Sequence, residues 1–384
     1  MKSICGVGGV KAAGTKEGRF GLALVAASGS AAGVFTSNLV IAAPLVLMRE
    51  RIGRGGELDG IMVNSGCANA FTGERGLADA ALMCEVGAEA LGTDPGRIGV
   101  ASTGIIGRYL DLDIIGRQAR EVAPRLRCDP SAEVDAARAI MTTDLVEKHA
   151  LVRGDGFSVG GICKGSGMIA PNMGTMIALL YTDAEVAPKA LGQALRLATR
   201  RSFNQVVVDG DMSTNDIAFL TATGTAGRVP AKEFQAALGE CAKSLAIQIA
   251  RDGEGATKLV EMVVRGARTE QAAARIARTV VGSPLLKTAV YGEDPNWGRV
   301  FAAAGRAGVE FDPDAVSLFI GPAGDRIPLV EKGKIVVDLA RAKQAMAGKE
   351  VRFELELGEG EAEATAWGCD LTEKYIEING RYTT

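Results

Sequence analysis

One histidine, His149, is all that this chain of 384 residues contains, and the scarcity restricts its chemistry more than any motif does. A Ser-His-Asp or Cys-His enzyme would have to place that single residue in its site. A metal cluster built from several imidazoles is excluded. His149 lies in VEKHALVRGDG, a polar segment near a turn, which predicts a solvated surface position. The seven cysteines are odd in number and never spaced as CxxC. They read as buried thiols of a reducing cytoplasm, neither a disulfide framework nor a zinc site. Aromatic residues make up 5% and the net charge is −3, so neither a base-stacking platform nor a basic groove for nucleic acid is expected. The longest strongly apolar run, Leu39 to Met48, is too short to span a bilayer and carries Pro44. Lys2 is followed only by a short glycine-rich stretch before Lys11, which does not resemble a secretory signal. A cytoplasmic protein without nucleic-acid or membrane partners is the expectation.

What is present is an ordinary globular balance, 47% apolar and 23% charged residues, in a length sufficient for one large domain or two. The 50 glycines follow no period and indicate tight turns and close backbone approaches. Apolar content and glycine borders predict strands over Leu22–Ala26, Gly33–Thr36, Gly60–Asn64 and Ile98–Ser102. Further strands are expected over Phe157–Cys163, Met176–Thr182, Lys258–Arg265, Ile335–Asp338, Val351–Leu357 and Ala364–Asp370. Helical spacing marks Asp79–Leu91, Ser131–Met141, Pro188–Arg201, Ala231–Asp252 and Glu270–Val281, the last with Thr269 as its cap. Strands adjoin both strands and helices, so the fold class is α+β, in α/β layers, rather than a pure βαβ succession.

Several glycine patterns fail on inspection. GVGGVKAAG at 6–14 is not GxGxxG, Gly348-Lys349 is followed by Glu350 where a P-loop needs a hydroxyl, and Gly165-Ser166-Gly167 is not GxSxG. Thr103-Gly104 in ASTGIIG follows a predicted strand; it reads either as an ordinary turn or as an oxyanion site. Glu254, between two glycines in RDGEGATK, reads in isolation as an exposed acidic turn. The segment KGSGMIAPNMGTMIALLYTD, 164–183, carries the most information, and Thr175 is its centre. Thr175 is either a strand residue that fits the pleat or a latent nucleophile. In the second case it attacks the Gly174 carbonyl, the acyl group shifts from nitrogen to oxygen, and the ester hydrolyses. The freed α-amine, with an ordinary pKa of about 7.7–8.0, then serves as base for its own hydroxyl, so no histidine is needed.

Taken in order, several segments resemble one family closely. They are AAGVFTSNLVIAAP (31–44), VNSGCANAFTGERG (63–76), ASTGIIG (101–107), IMTTD (140–144), KGSGMIAPNMGTM (164–176), STNDI (213–217), DPNWGRV (294–300) and WGCDLTEKYIEINGRYTT (367–384). The family is ornithine acetyltransferase, or bifunctional glutamate N-acetyltransferase, of arginine biosynthesis. The resemblance implies cleavage between Gly174 and Thr175, into an α-chain of residues 1–174 and a β-chain of residues 175–384 that form one catalytic unit. It also implies a sandwich of central β-sheets between helix layers, and an α2β2 heterotetramer. Thr175 would carry acetyl from N2-acetylornithine to glutamate, with no metal or prosthetic group. Acetyl-CoA as a second donor is compatible with the same motifs.

The resemblance further implies that Thr103 and Gly104 form the oxyanion hole, and that Thr142, Lys164, Thr175, Glu254, Asn379 and Thr384 contact substrate. Lys164 suits an α-carboxylate, and Glu254 an amino group. The dense pattern near the C-terminus predicts a docked tail. Cys67 stands where asparagine is common and is expected to pack. Gly174 replaces the usual alanine, and both are small. A self-cleaving hydrolase of similar fold, resembling β-aminopeptidases, is the alternative, with water as acceptor.

Overall fold

The computed structural model describes residues 1–53, 55–170 and 176–381. Two mixed sheets form its centre. The first contains β1 (Lys11–Glu17), β2 (Phe20–Phe35), β3 (Gly56–Cys67), β4 (Ile98–Ile105), β5 (Lys148–Arg153), β6 (Ser158–Lys164), β7 (Ile177–Glu185) and β9 (Ile217–Arg228). Their order is β4-β3-β2-β9-β7-β6-β5, with β1 added to β2. The second sheet uses β8 (Val206–Val207), β10 (Leu259–Ala267), β11 (Ser317–Ile320), β12 (Ile327–Glu331), β13 (Lys334–Ile335), β14 (Glu350–Glu356) and β15 (Ala362–Cys369), in the order β13-β12-β11-β14-β10-β15-β8.

Side-chain alternation explains the layering. Along β7, Ile177, Leu179 and Tyr181 enter one core, while Ala178 and Leu180 enter the other. A strand buried on both faces is apolar throughout, which is why IALLY reads as one run. The first core is closed by α1 (Ala43–Ile52), α2 (Gly73–Leu91), α3 (Leu112–Val122) and α4 (Pro130–Ile140). The second is closed by α5 (Pro188–Arg201) and α6 (Ala231–Arg251), and α6 also packs on β15 of the other sheet. Each fully buried Leu or Ile here contributes about 1.5–3 kcal/mol.

The second sheet alternates differently. Val260, Met262 and Val264, with Val351, Phe353 and Leu355, face helices α7 (Glu270–Val281), α8 (Pro284–Tyr291), α9 (Trp297–Gly305) and α10 (Leu339–Met346). The opposite face carries an ion-pair ladder that includes Arg352–Glu261 at 3.2 Å and Arg265–Glu354 at 3.3 Å. The α+β layering with two central sheets and helix layers is therefore as expected from the sequence.

Strands β6 and β7 pair antiparallel, with Lys164 opposite Ile177. Gly174 and Thr175, the predicted cleavage pair, lie between them but outside the described residues, as does Thr384. Segments from either side of the expected cut thus share one sheet and one core.

Local expectations needed correction in three places. His149 is not a solvated surface residue: it sits in β5, half-buried, with Nδ1 2.9 Å from Ser3 Oγ and Nε2 buried without a partner. Burial pushes its pKa down to about 4. Helix α4 starts and ends one residue earlier than the expected Ser131–Met141, because Asp129 caps it, accepting from the Ala132 N–H at 2.8 Å, with Ser131 in the first turn. Ile335–Asp338 is not one strand, because β13 ends at Ile335 and Asp338 caps α10. Thr269 caps α7 as expected.

Candidate active site

The parallel pair β3–β4 supplies the first part of the site. Thr103 is buried and lies opposite Ser65, and Gly104 lies opposite Gly66. Gly104 has φ +133°, and a Cβ there would sit 2.4 Å from the Gly66 carbonyl carbon. Only glycine fits that crossing. Ser65 Oγ donates to Ala139 O at 2.7 Å and accepts from Lys16 Nζ at 3.2 Å; Lys16 Nζ also reaches Met141 O. The Thr103 strand end is thereby tied to the segment that leads into Thr142. Cys67 packs as expected, with Sγ donating to Arg108 O at 3.2 Å.

Lys164, the last residue of β6, is 2% exposed. Burial lowers its pKa, against the attraction of Asp144. Asp144 is shared by four groups. Its Oδ1 accepts from Lys148 Nζ at 2.8 Å and from the Gly165 N–H at 2.6 Å, and its Oδ2 accepts from the Thr142 N–H at 3.1 Å and lies 4.0 Å from Lys164 Nζ. Burial works to raise the Asp144 carboxyl, but the Lys164 and Lys148 charges outweigh it and hold the group at about 2. Lys148, itself fully buried, also donates to Asp252 Oδ2 at 2.6 Å, and burial pushes the Asp252 carboxyl up. With Asp144 already committed to Lys148 and two N–H groups, Lys164 retains unspent capacity for an anion.

Glu254 follows α6 in a tight turn and is not the exposed acidic residue its glycine neighbours suggest, being 9% exposed. Its N–H donates to Ser166 O at 3.2 Å. A Cβ at Gly167 would come within 2.3 Å of the Glu254 carboxylate, so the bare glycine makes room for that side chain. Asn379, on α11 (Glu373–Arg381), donates from Nδ2 to Glu254 Oε2 at 2.8 Å. Thr372 Oγ1 donates to Gly255 O at 2.7 Å, so the tail is docked on the Glu254 turn from Thr372 to Asn379.

The two halves of the site are joined by STNDI. Asn215 Nδ2 donates to Ser102 O at 2.8 Å and to Ala68 O at 2.6 Å. Its neighbour Asp216 accepts from the Met176 N–H at 2.9 Å. Met176 directly follows Thr175 in the chain, so one dipeptide braces both the Thr103 strand and the start of β7. Asp216 is fully buried, and burial raises its carboxyl well above the ordinary range.

With this geometry in hand, comparison with known proteins is decisive. The model of the ArgJ family matches residues 7–384. The chain belongs to the ArgJ family. It is 48% identical over 388 residues to the glutamate N-acetyltransferase of Methanosarcina mazei, covering 99% of this chain and 98% of that protein. It is 44% identical over 382 residues to the arginine biosynthesis bifunctional protein ArgJ of Archaeoglobus fulgidus, covering 99% of this chain and 100% of that one. The crystal structure of the arginine biosynthesis bifunctional protein ArgJ from Bacillus halodurans matches with 38% identity and a TM-score of 0.50, over 52% of this chain and 96% of that chain.

Of the residues singled out in the sequence, Thr142, Lys164, Glu254 and Asn379 belong to connected hydrogen-bond and ion-pair networks in this ArgJ-family chain. Asp144, Lys148, Asp252, Asn215 and Asp216 were given no role from sequence. Asp144 and Lys148 are spaced i,i+4, but that spacing carries a signal only on a helix, and here a loop runs into β5. The Asp252 and Asn215 contacts span 104 and 113 residues, beyond any local pattern.

Proposed function

We propose that this protein is a self-processing acetyltransferase that moves acetyl from N2-acetylornithine to glutamate, giving ornithine and N-acetylglutamate. The observation that carries the reading is the buried Lys164, whose one ion-pair contact among the described residues is Asp144 at 4.0 Å, with Glu254 held by Asn379 on the other side of the Ser166–Gly167 turn. A buried cation and a buried carboxylate suit the α-carboxylate and an amino group of amino-acid substrates.

Processing would precede transfer. Thr175 Oγ attacks the Gly174 carbonyl, the peptide nitrogen leaves as the Thr175 amine, and water cleaves the resulting ester. The products are an α-chain of residues 1–174 and a β-chain of residues 175–384. The solved Bacillus halodurans chain is almost fully matched by only 52% of this chain, about the size of one such product.

In transfer, the Thr175 amine takes the hydroxyl proton and Oγ attacks the acetyl carbonyl. Thr103 and Gly104 stabilise the oxyanion, ornithine leaves with the proton on its amine, and an acetyl-threonine ester remains. The glutamate amine then attacks that ester and restores Thr175. The route calls on no metal or prosthetic group. Thr142 and Thr384 complete the substrate contacts, the assembly is an α2β2 heterotetramer, and the location is the cytoplasm. In support of the location, all seven cysteines are free thiols and six are buried, and no described helix is long and apolar enough to cross a membrane.

Incubating the purified protein with N2-acetylornithine and glutamate tests the reading. Equimolar ornithine and N-acetylglutamate are expected; acetate in place of N-acetylglutamate would identify the hydrolase instead. Adding acetyl-CoA with glutamate alone tests that compound as a second donor.

A further inference from the structure

A cleft of about 860 Å³ opens between α5, α6, α7 and β15, and it includes none of Thr103, Thr142, Lys164 or Glu254. Five cationic side chains line it: Arg196, Arg200, Arg201, Lys243 and Arg278. Its two carboxylates are already engaged. Glu270 pairs with Arg201 at 2.8 Å and Arg200 at 3.8 Å, and Glu363 pairs with Arg265 at 2.8 Å. Arg196, Lys243 and Arg278 have no ion-pair partner among the described residues. Burial and the neighbouring Arg275 charge work against the protonated state of Arg278, so an anion there would relieve a real cost. Lys243 Nζ lies over the Trp367 ring, 5.9 Å from its centroid. In the wall, Thr199 Oγ1 and Gln205 Oε1 are buried polar atoms without a partner.

From this we infer that the cleft binds a phosphorylated small molecule of nucleotide size, with phosphate oxygens on Arg196, Lys243 and Arg278, the Lys243 ammonium lying over the buried Trp367 ring. Guanidinium groups match phosphate oxygens bidentately, and the volume falls within the range of about 300–1,000 Å³ usual for small-ligand sites. The cleft is also mechanically connected to the active-site loop. Gln205 leads directly into β8, and the Val208 N–H donates to Ile169 O at 2.8 Å, next to the Lys164 segment. The inference is independent of the acetyltransferase reading, because its readout is binding and not turnover.

Calorimetric titration of the purified protein with inorganic pyrophosphate, ATP and coenzyme A tests it. At least one is expected to bind with Kd below about 1 mM, and Arg196→Gln with Arg278→Gln should weaken it about tenfold or more. Should that pair unfold the protein, Lys243→Gln, on an exposed helix position, provides the same comparison. In a Trp297→Phe background, Trp367 is the sole tryptophan and its emission should change on titration with pyrophosphate. Tighter binding of ATP or coenzyme A than of pyrophosphate assigns a nucleotide, and equal binding assigns phosphate alone; either supports the site. Saturable binding of none of the three, or binding unaltered by the substitutions, overturns it. A changed oligomeric mass of the double variant without ligand binding also overturns it, giving the cleft to another subunit.

Discussion

Asn379 Nδ2 donates to Glu254 Oε2 at 2.8 Å, joining residues 125 apart in the chain and fixing the C-terminal helix to the turn that follows α6. A hydrogen bond to a charged group contributes about 1.5–3 kcal/mol. Asn379→Ala should therefore lower kcat/KM about 10- to 100-fold, mainly through KM, with self-cleavage unaffected. Steady-state kinetics on the processed protein checks this; unchanged kinetics would remove Asn379 from the site.

Gly167→Ala offers a more local test. Its Cβ would meet the Glu254 carboxylate at 2.3 Å, so the side chain must swing away from its present position. A misplacement of the carboxylate by about 1 Å costs about 10²-fold in rate, with little loss of stability expected because the atoms met are the far end of a flexible side chain. Comparing kcat/KM with the urea midpoint separates the two effects. Equal loss of both would show the glycine to be structural only.

The buried triad Asp144–Lys148–Asp252 should behave as a unit. Lys148→Met leaves Asp144 with a buried charge whose remaining ion-pair contact among the described residues is Lys164, 4.0 Å away. Breaking a buried pair in this way costs about 3–5 kcal/mol. Urea denaturation should show a loss of that size, and Asp252→Asn added to Lys148→Met should recover part of it. A loss below about 1 kcal/mol would contradict this role.

A good part of the architecture was legible in the sequence, and the reasons differ by element. Helices α5 and α7 appear with the expected bounds, because their apolar faces are regular and Pro188 and Glu270 mark their starts. Strand β7 was legible because burial on two faces leaves it continuously apolar. His149 was misread because VEKHALV is polar around it, while tertiary packing against Ser3 brings it inside. The separate strands expected over Leu22–Ala26 and Gly33–Thr36 are one strand, β2, continued through a register shift between Ala26 and Gly29. In the site, Lys164 and Glu254 were found through motif resemblance. Asn215 and Asp216 were not given roles, since what they do is hold backbone groups of distant segments, and no spacing in the sequence encodes that.

His149 also gives a pH dependence. Its folded pKa is about 4 against an ordinary 6.5, so below pH 6.5 the unfolded chain binds a proton that the folded chain does not. Stability should fall as pH drops from about 6.5 to about 4 and this contribution should level off below that. After discounting for partial exposure, the loss is about 1–2 kcal/mol. Asp144, held at about 2, adds a separate loss only at lower pH, from about 4 down through about 2. Denaturation midpoints of the parent and of His149→Gln at pH 7 and pH 5 provide the check. The two proteins should differ in slope, and parallel behaviour would show that His149 is protonated freely in the fold.

The most direct test of the central claim is an intact-mass measurement of the purified protein and of Thr175→Ala, each before and after N2-acetylornithine is added without glutamate. The parent should appear as two chains cut before Thr175, and the larger should gain one acetyl group, mapped to its N-terminal threonine. Thr175→Ala should remain one chain and gain nothing. A parent that stays at full length, or a Thr175→Ala variant that is cut and acetylated, would contradict Thr175 as the nucleophile.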